Sequence, residues 1–308
     1  MKRDLIQYII HPTRLLVRLD QIGLIRLDDV TYLRWMFKQR VGYDLNLKNP
    51  KSFNEKIQWL KLNDKNDRYT DLVDKLKAKE VISKIIGDEY IIPTIGVWDK
   101  FDDIDFDALP DKFVLKTTHD SGGVVVVKDK NSLDVKKAKK KINKSLRKNY
   151  FYNGREWPYF NIEKKIIAEP FVESESEELM DYKLMVFNGK VKCSFTCTER
   201  FSEGGLHVTF FDNNWEVMPF ERHYPKSETK IDKPVNFEKM IELSEKLAKD
   251  IRFVRIDFYE AFGKLYFGEM TFYPGSGIEE FTPVSWDYKL GDWLDLNESN
   301  YLNENLEN

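Results

Sequence analysis

Cysteine is scarce in this sequence: Cys193 and Cys197 are the only two among 308 residues. Two thiols cannot build a disulfide framework or complete a zinc site. Four residues apart on one strand, they read as packed free thiols on the same side. Long apolar runs are missing too, and no stretch approaches the roughly 18 residues of a membrane span. The opening MKRDLIQYIIHPTRLL has a short apolar start, but His11, Pro12, Arg14 and Arg18 interrupt it before any small-residue cleavage site. A cytoplasmic location is expected. Nor does either charge dominate: 49 Lys and Arg face 52 Asp and Glu, a formal net charge of -3. That balance argues against nucleic acid as a partner. No internal repeat or low-complexity tract is evident. What is present is 42% hydrophobic and 14% aromatic content, enough for real cores and, at this length, about two domains.

Within residues 1–62, apolar spacing through Leu5, Ile6 and Ile9 and again through Tyr32, Leu33, Met36 and Phe37 predicts helices. Pro50 is a stop, and Ser52 with Glu55 forms a capping box that opens a helix towards Trp59. The spacing predicts another helix over 69–86, ending at Gly87 and carrying Asp74 and Lys75. Tyr90-Ile91-Ile92-Pro93 and Ile95-Gly96-Val97-Trp98 read as short extended segments, and the acidic run 99–111 as a surface loop. Phe113-Val114-Leu115-Lys116 and Val124-Val125-Val126-Val127 flank Thr117-Thr118-His119-Asp120-Ser121-Gly122-Gly123 as a hairpin. A lysine-rich helix follows over 132–149, its basic face read as solvated, then a strand over 166–169. Asn188-Gly189 and Asn213-Asn214 mark hairpins, the latter between Leu206–Phe211 and Trp215–Met218. A helix over 236–250 leads to strands 252–260 and 264–271. Helices mixed with mainly antiparallel hairpins predict an α+β fold.

The chemistry concentrates in VRIDFY and FGEMTFYPGSG. Alternation places Arg255, Asp257 and Tyr259 on one strand face, and Leu265, Phe267, Glu269 and Thr271 on a face of the next. A turn centred on Gly263 sets Asp257 opposite Glu269 and Arg255 opposite Thr271. Two opposed carboxylates repel, so a positive charge must compensate. Arg255 alone could supply it, or a hard cation such as Mg²⁺ carrying substrate phosphates.

The glycine hairpin offers Lys116 at a strand end and Ser121-Gly122-Gly123 in the loop. Backbone N–H groups there could approach a phosphate, or the turn could be an ordinary one with a solvent lysine. It is not a P-loop, because no helix begins immediately after it. His119 adjoins this loop and reads as a polar turn residue; His207 is isolated. Asp181 and Lys183 share one strand face, and Glu169 ends a strand before Pro170.

In chain order, Asp74-Lys75, FVLK with TTHDSGG, IIAEPF, DYKLMVFNGK, VRIDFY and FGEMTFYPGSG, with the segment NPKSFNEKIQWLKL, resemble the TupA-like ATP-grasp family of bacterial surface-polysaccharide clusters, from about residue 30 to 290. The resemblance implies an ATP-grasp fold with a helical region over 1–92, a glycine-flap lid over 93–170 and a catalytic core over 171–308. It implies ATP and Mg²⁺ as cofactors. Lys75 and Lys116 would grip the α- and β-phosphates, and Ser121, Gly122 and Gly123 would form the flap. Glu169 and the backbone of Phe171 and Val172 would meet the adenine, with Asp181 and Lys183 on the nucleotide strand and Lys183 near the γ-phosphate. Asp257 and Glu269 would hold Mg²⁺, and Arg255 would lean on the transferring phosphoryl group. Gly275, Ser276 and Gly277 would line the acceptor end. Many ATP-grasp enzymes carry Glu-x-Asn where this chain has Glu269-Met270-Thr271, which leaves ligation by Thr271 open.

The implied reaction is carboxylate–amine ligation through an acylphosphate, joining an amino acid or similar amine to a sugar-linked, uronic-acid carboxylate. Arg200 is a candidate for binding an anionic substrate group, or equally a surface arginine. Two other classes stay open: a nucleotide-sugar glycosyltransferase, which would not need Lys75, Lys116 and Lys183, and an ATP-binding module without catalysis. The N-terminal helices are expected to cover the core.

Overall fold

The computed structural model describes residues 12–175, 179–199 and 204–297. Arg200 and the helix expected through Leu5, Ile6 and Ile9 lie outside the described residues. The chain opens with α1 (Pro12–Gln21), α2 (Asp29–Val41), α3 (Phe53–Asn63), α4 (Arg68–Val73) and α5 (Lys77–Ile86). Next come β1 (Gly96–Trp98), β2 (Phe113–Thr117), β3 (Val124–Val127), α6 (Val135–Leu146), α7 (Phe151–Gly154) and β4 (Ile166–Pro170). The remainder is β5 (Asp181–Phe187), β6 (Lys190–Thr198), β7 (His207–Phe211), β8 (Glu221–Arg222), α8 (Phe237–Leu247), β9 (Phe253–Ala261), β10 (Lys264–Thr271), β11 (Phe281–Thr282) and α9 (Ser285–Trp293).

Local chemistry explains most of these limits. The Ser52 side chain accepts from the Glu55 N–H, and the Glu55 carboxylate accepts from the Ser52 N–H, so the capping box at α3 is formed. The helix expected over 69–86 is two helices instead. Asp74 leaves the helical region, and its carboxylate accepts from the N–H groups of Leu76 (2.8 Å) and Lys77 (3.3 Å). The Lys75 N–H donates to the Thr118 carbonyl at 3.1 Å and not to a helical partner. Asp74 and Lys75 therefore sit in a break, contrary to the helical expectation. Of the expected extended segments, the one over 90–93 is extended at Ile91 but its Tyr90 closes a 3₁₀ turn, and Trp215–Met218 contributes only the bridge Phe211–Val217.

Two antiparallel sheets carry the site. The first runs β1-β4-β2-β3 and the second β10-β9-β5-β6-β7. In the first, Phe113, Leu115, Ile166 and Ala168 face one way and pack on Ala138 and Ile142 of α6. The other face turns Lys116 and Glu169 outward, because Lys116 pairs with Ile167 and Glu169 lies two residues further on the same side. In the second sheet, Leu184, Val186, Ile256 and Phe258 join Met240, Leu243 and Leu247 of α8 in the large core. A separate cluster of Val17, Tyr32, Leu33, Met36 and Phe37 holds α1 and α2 together. Among the described residues no helix is long and apolar enough to cross a membrane.

The β9–β10 hairpin reaches the expected pairing by an unexpected route. Lys264 pairs with Ala261 and Phe267 with Phe258, so the turn is the two residues Phe262 and Gly263 and not a turn centred on Gly263. Continued unbroken, that register would place Glu269 opposite Ile256. A bulge at Gly268 shifts it by one residue, and Glu269 lands opposite Asp257, with Thr271 opposite Arg255. Glycine is required because a Cβ there would lie 3.0 Å from the Asp257 carbonyl oxygen and 3.1 Å from the Tyr259 ring. The expectation that Leu265 and Phe267 share a face with Glu269 fails for the same reason.

Candidate active site

Strand pairing builds a charged row across three strands of the second sheet. Lys183 on β5 pairs with Asp257 on β9, and Asp257 pairs with Glu269 on β10. Asp181 and Arg255 fall on the same face, two residues to either side. The Lys183 ammonium lies 2.7 Å from Asp181 and 2.5 Å from Asp257. Arg255 grips Asp257 in bidentate fashion, Nε to Oδ1 at 2.6 Å and Nη2 to Oδ2 at 2.7 Å, and reaches Glu269 at 2.7 Å. The compensating charge between the two carboxylates is thus Arg255, the ion-pair alternative raised by the sequence. Burial alone would raise the Glu269 pKa, but Arg255, Lys75 and Lys183 outweigh it and hold the group below the ordinary value. Burial opposes the charge on Lys183 too, yet Asp257 keeps its pKa above the ordinary value. The Thr271 hydroxyl donates to Glu269 at 3.2 Å.

The first sheet supplies the facing wall. Glu169 is 5% exposed and clamped between Lys79 at 2.6 Å and Lys116 at 2.5 Å. Burial pushes its pKa up, but the two lysines prevail and leave it below the ordinary carboxylate value. Lys79 comes from α5, and the sequence reading missed it; its one-turn spacing from Lys75 was the available signal. Lys75 donates to the Asp120 carbonyl of the glycine loop, and burial lowers its pKa. Asp120 fastens the foot of that loop: its carboxylate accepts from Thr117 Oγ1 at 2.5 Å, from the Gly123 N–H at 3.0 Å, and from Ser145. The Gly123 N–H is therefore committed, and a Cβ at Gly123 would overlap Thr117 Oγ1. Gly122 stands exposed in open space at the tip. His119 is buried, with Nε2 3.2 Å from the Ser145 carbonyl, and faces the lid interior.

Between the sheets lies a cavity of about 1150 Å³, lined by Lys75, Lys79, Lys116, Ser121, Glu169, Asp181, Lys183, Cys197, Asp257, Tyr259, Phe267 and Glu269 among others. A second cavity of about 690 Å³ adjoins it, lined among others by Arg40, Glu156, Tyr159, Arg255, Thr271, Gly275 and Ser276. The two share Lys75, Ser121 and Glu269. Some expected residues stand apart. Phe171 and Val172 line neither cavity, and the Phe171 N–H donates to the Lys112 carbonyl at 3.4 Å. Gly277 is buried, and a Cβ there would press on Ile57 and Gln58 at 2.5–2.6 Å. Cys193 is buried in the core, Cys197 reaches the cavity wall, and neither forms a disulfide.

Asp257 and Glu269 suit a hard cation arriving with phosphates, since magnesium is commonly held by one or two carboxylates plus substrate phosphates. Among the described residues no group of three or more acidic, histidine or cysteine side chains could hold a metal unaided. In this structure both Asp257 oxygens accept from Arg255 or Lys183 and Glu269 Oε1 accepts from Arg255, so magnesium brought in on a triphosphate would be held by Asp257 and Glu269 only in place of part of that guanidinium contact.

The model of the TupA-like ATP-grasp family matches residues 55–295, which contain every wall residue of the larger cavity. The chain belongs to the TupA-like ATP-grasp family. Its paired sheets, with helices around them, are the ATP-grasp fold. Solved structures similar to it include a D-alanine–D-alanine ligase from Bacillus anthracis complexed with ATP, at 17% identity and TM-score 0.41 over 72% of this chain and 63% of that one. D-cycloserine synthetase DcsG matches at 14% identity and TM-score 0.40, over 73% of this chain and 70% of that one. The ATP-grasp ligase PsnB, complexed with minimal precursor, Mg and ADP, matches at 10% and 0.37, over 67% of this chain and 52% of that one. The chain thus spans less than two thirds of the D-alanine–D-alanine ligase. Comparison with curated proteins gave no match.

Proposed function

We propose that this ATP-grasp protein is an ADP-forming carboxylate–amine ligase. The observation that carries the reading is the junction of the two cavities. A lysine-walled chamber meets a second chamber at Lys75, Ser121 and Glu269, beside the row Lys183–Asp257–Glu269 and Arg255. ATP would lie in the larger cavity, with Lys75 and Lys116 on its phosphates and Lys183 and Arg255 near the γ-phosphate. In the reaction a substrate carboxylate oxygen attacks the γ-phosphorus, the bond to the β-phosphate oxygen breaks, and ADP leaves with the electron pair. The amine nitrogen then attacks the acyl carbon, phosphate departs, and the nitrogen gives up a proton. Fixed cations aimed at the developing charge lower such barriers more than mobile water does. Magnesium held by Asp257 and Glu269 would neutralise further phosphate charge. Ser121 on the loop lines both chambers and in this reading would help exclude water from the acylphosphate.

For substrates, we take the carboxylate to be a uronic acid, free or nucleotide-linked, and the amine to be an amino acid or similar amine, in capsular or surface polysaccharide synthesis. That context rests on the family's association. Under this reading the enzyme works in the cytoplasm, where ATP and nucleotide sugars are made. The test is a coupled ADP-release screen over amines, with and without nucleotide-linked uronic acids. Amine-dependent ADP and phosphate release supports the reading. Release of a nucleoside diphosphate from a sugar donor without ATP, or ATP binding with no turnover on any pair, overturns it.

A further inference from the structure

The second cavity carries charges that the phosphate chemistry does not use. Five acids line it: Asp120, Glu156, Glu269, Glu279 and Glu280. Four are engaged. Asp120 holds the loop through Thr117, Gly123 and Ser145, Glu269 meets Arg255, Glu279 meets Arg222 at 3.0 Å, and Glu280 meets His223 at 3.1 Å. Glu156 is left. It lies in the link between α7 and the following 3₁₀ turn, 5% exposed, and makes no salt bridge among the described residues. Its support is indirect. Burial raises its pKa above the ordinary carboxylate value, against the through-space pull of Lys61, a bond from the Ser276 hydroxyl and the pull of Arg255. The Lys61 ammonium is spent on neutral acceptors: the Ser276 carbonyl at 2.8 Å, Ser276 Oγ at 2.9 Å and Gln58 Oε1 at 3.1 Å. A buried carboxylate without a direct cation is costly, and a cationic ligand group would relieve that cost.

The cations of the cavity sort the same way. Arg255 is committed to Asp257 and Glu269, and Lys75 bonds the loop carbonyl. His223 faces Glu280. Arg40, at the end of α2, is exposed on the rim and makes no salt bridge among the described residues. One carboxylate deep in the cavity and one guanidinium on the rim thus have no salt-bridge partner among the described residues, with Tyr150, Tyr159 and Tyr273 also lining the cavity.

We infer that this cavity binds the attacking amine through Glu156 and an anionic group of the same molecule through Arg40, so that the amine is amino-acid-like and not a simple alkylamine. The assignment rests on the ligase reading for its purpose but not for its test. Calorimetry on the intact protein would use the protein amino acids and their D-enantiomers, each beside its decarboxylated amine. Wild type should bind at least one amino acid about tenfold or more tighter than the matching amine, as expected for a charge-assisted contact. Glu156→Gln should weaken that amino acid about tenfold or more while leaving ATP affinity unchanged. Arg40→Gln should bring the amino acid down to the affinity of its decarboxylated partner, and because Arg40 is exposed it remains informative if Glu156→Gln fails to fold. The inference is overturned if wild type binds none of the panel, if amines bind as tightly as amino acids, if Glu156→Gln leaves amino-acid binding unchanged, or if it weakens ATP in step. Wild type that binds an amino acid yet never releases ADP sinks the ligase reading and leaves the site assigned.

Discussion

The two sheet faces that meet at the larger cavity divide its electrostatics. The lid face presents a carboxylate held between two cations, Glu169 with Lys79 and Lys116. The core face presents the reverse, three carboxylates against two cations, with Arg255 between Asp257 and Glu269 and Lys183 between Asp181 and Asp257. The lid carries spare positive charge and suits phosphates, while the core carries anions and suits a metal. The difference teaches that neither sheet alone is a nucleotide site. Their packing differs in the same sense, since the lid sheet rests on one helix and the core sheet on a large shared hydrophobic cluster.

Substitutions on each face would break this contrast. The largest effect is expected for Glu269→Gln, which removes an anion from the core face. ADP release should fall by about 10²–10³, the range for losing a fixed group at the developing charge. Circular dichroism should show an intact fold, because Arg255 keeps Asp257. Near-normal turnover in the folded variant would contradict the core assignment. Next comes Glu169→Gln, which strands Lys79 and Lys116 beside each other. Breaking such a buried pairing costs about 3 kcal/mol, readable by chemical denaturation at pH 7. The sign with pH follows from the depressed Glu169 pKa. Its contribution is complete above the unfolded value near ~4.3 and is lost as pH falls through the folded value. The wild type should therefore lose more stability than Glu169→Gln as pH drops through that window, and parallel curves would refute the clamp.

Gly268→Ala sharpens the contrast without changing any charge. The added methyl would lie 3.0 Å from the Asp257 carbonyl oxygen, which must give by a few tenths of an ångström, so the bulge should distort at a cost of about 2 kcal/mol. Turnover should fall more than ATP affinity does; equal losses would show that the bulge does not aim Glu269. Lys116→Ala has the smallest expected effect. Lys79 still holds Glu169, and ATP should bind about tenfold weaker. Unchanged ATP affinity by calorimetry would remove Lys116 from the phosphate wall.

What the sequence made legible follows the range of the forces involved. The Ser52–Glu55 cap and the hairpin at Asn188-Gly189 are local, and both form. The Asp257–Glu269 pairing was reached through two errors that cancel, a turn placed half a residue late and an unforeseen bulge. Lys79 stayed hidden because only the docking of α5 against the first sheet brings it to Glu169, and Glu156 because its neighbours Lys61 and Ser276 lie far from it along the chain. The break at Asp74-Lys75 was only half legible: the Asp74 carboxylate that accepts from Leu76 and Lys77 is a local signal, whereas the Lys75 backbone bond to Thr118 lies far along the chain. Gly123 looked like a phosphate-facing glycine and is instead a packing glycine above Thr117 and Ser145.

The wall that the two cavities share at Lys75, Ser121 and Glu269 gives the ligase proposal a use in inhibitor design. Under that proposal, a single compound with an adenosine head, a phosphinate beside these residues and an aminoacyl tail would be anchored in both cavities. Its second anchor would engage at the high local concentration set by the first. Such a tethered mimic should outcompete its two halves supplied as separate molecules, and shortening its linker until it no longer reaches from one cavity to the other should erase the advantage.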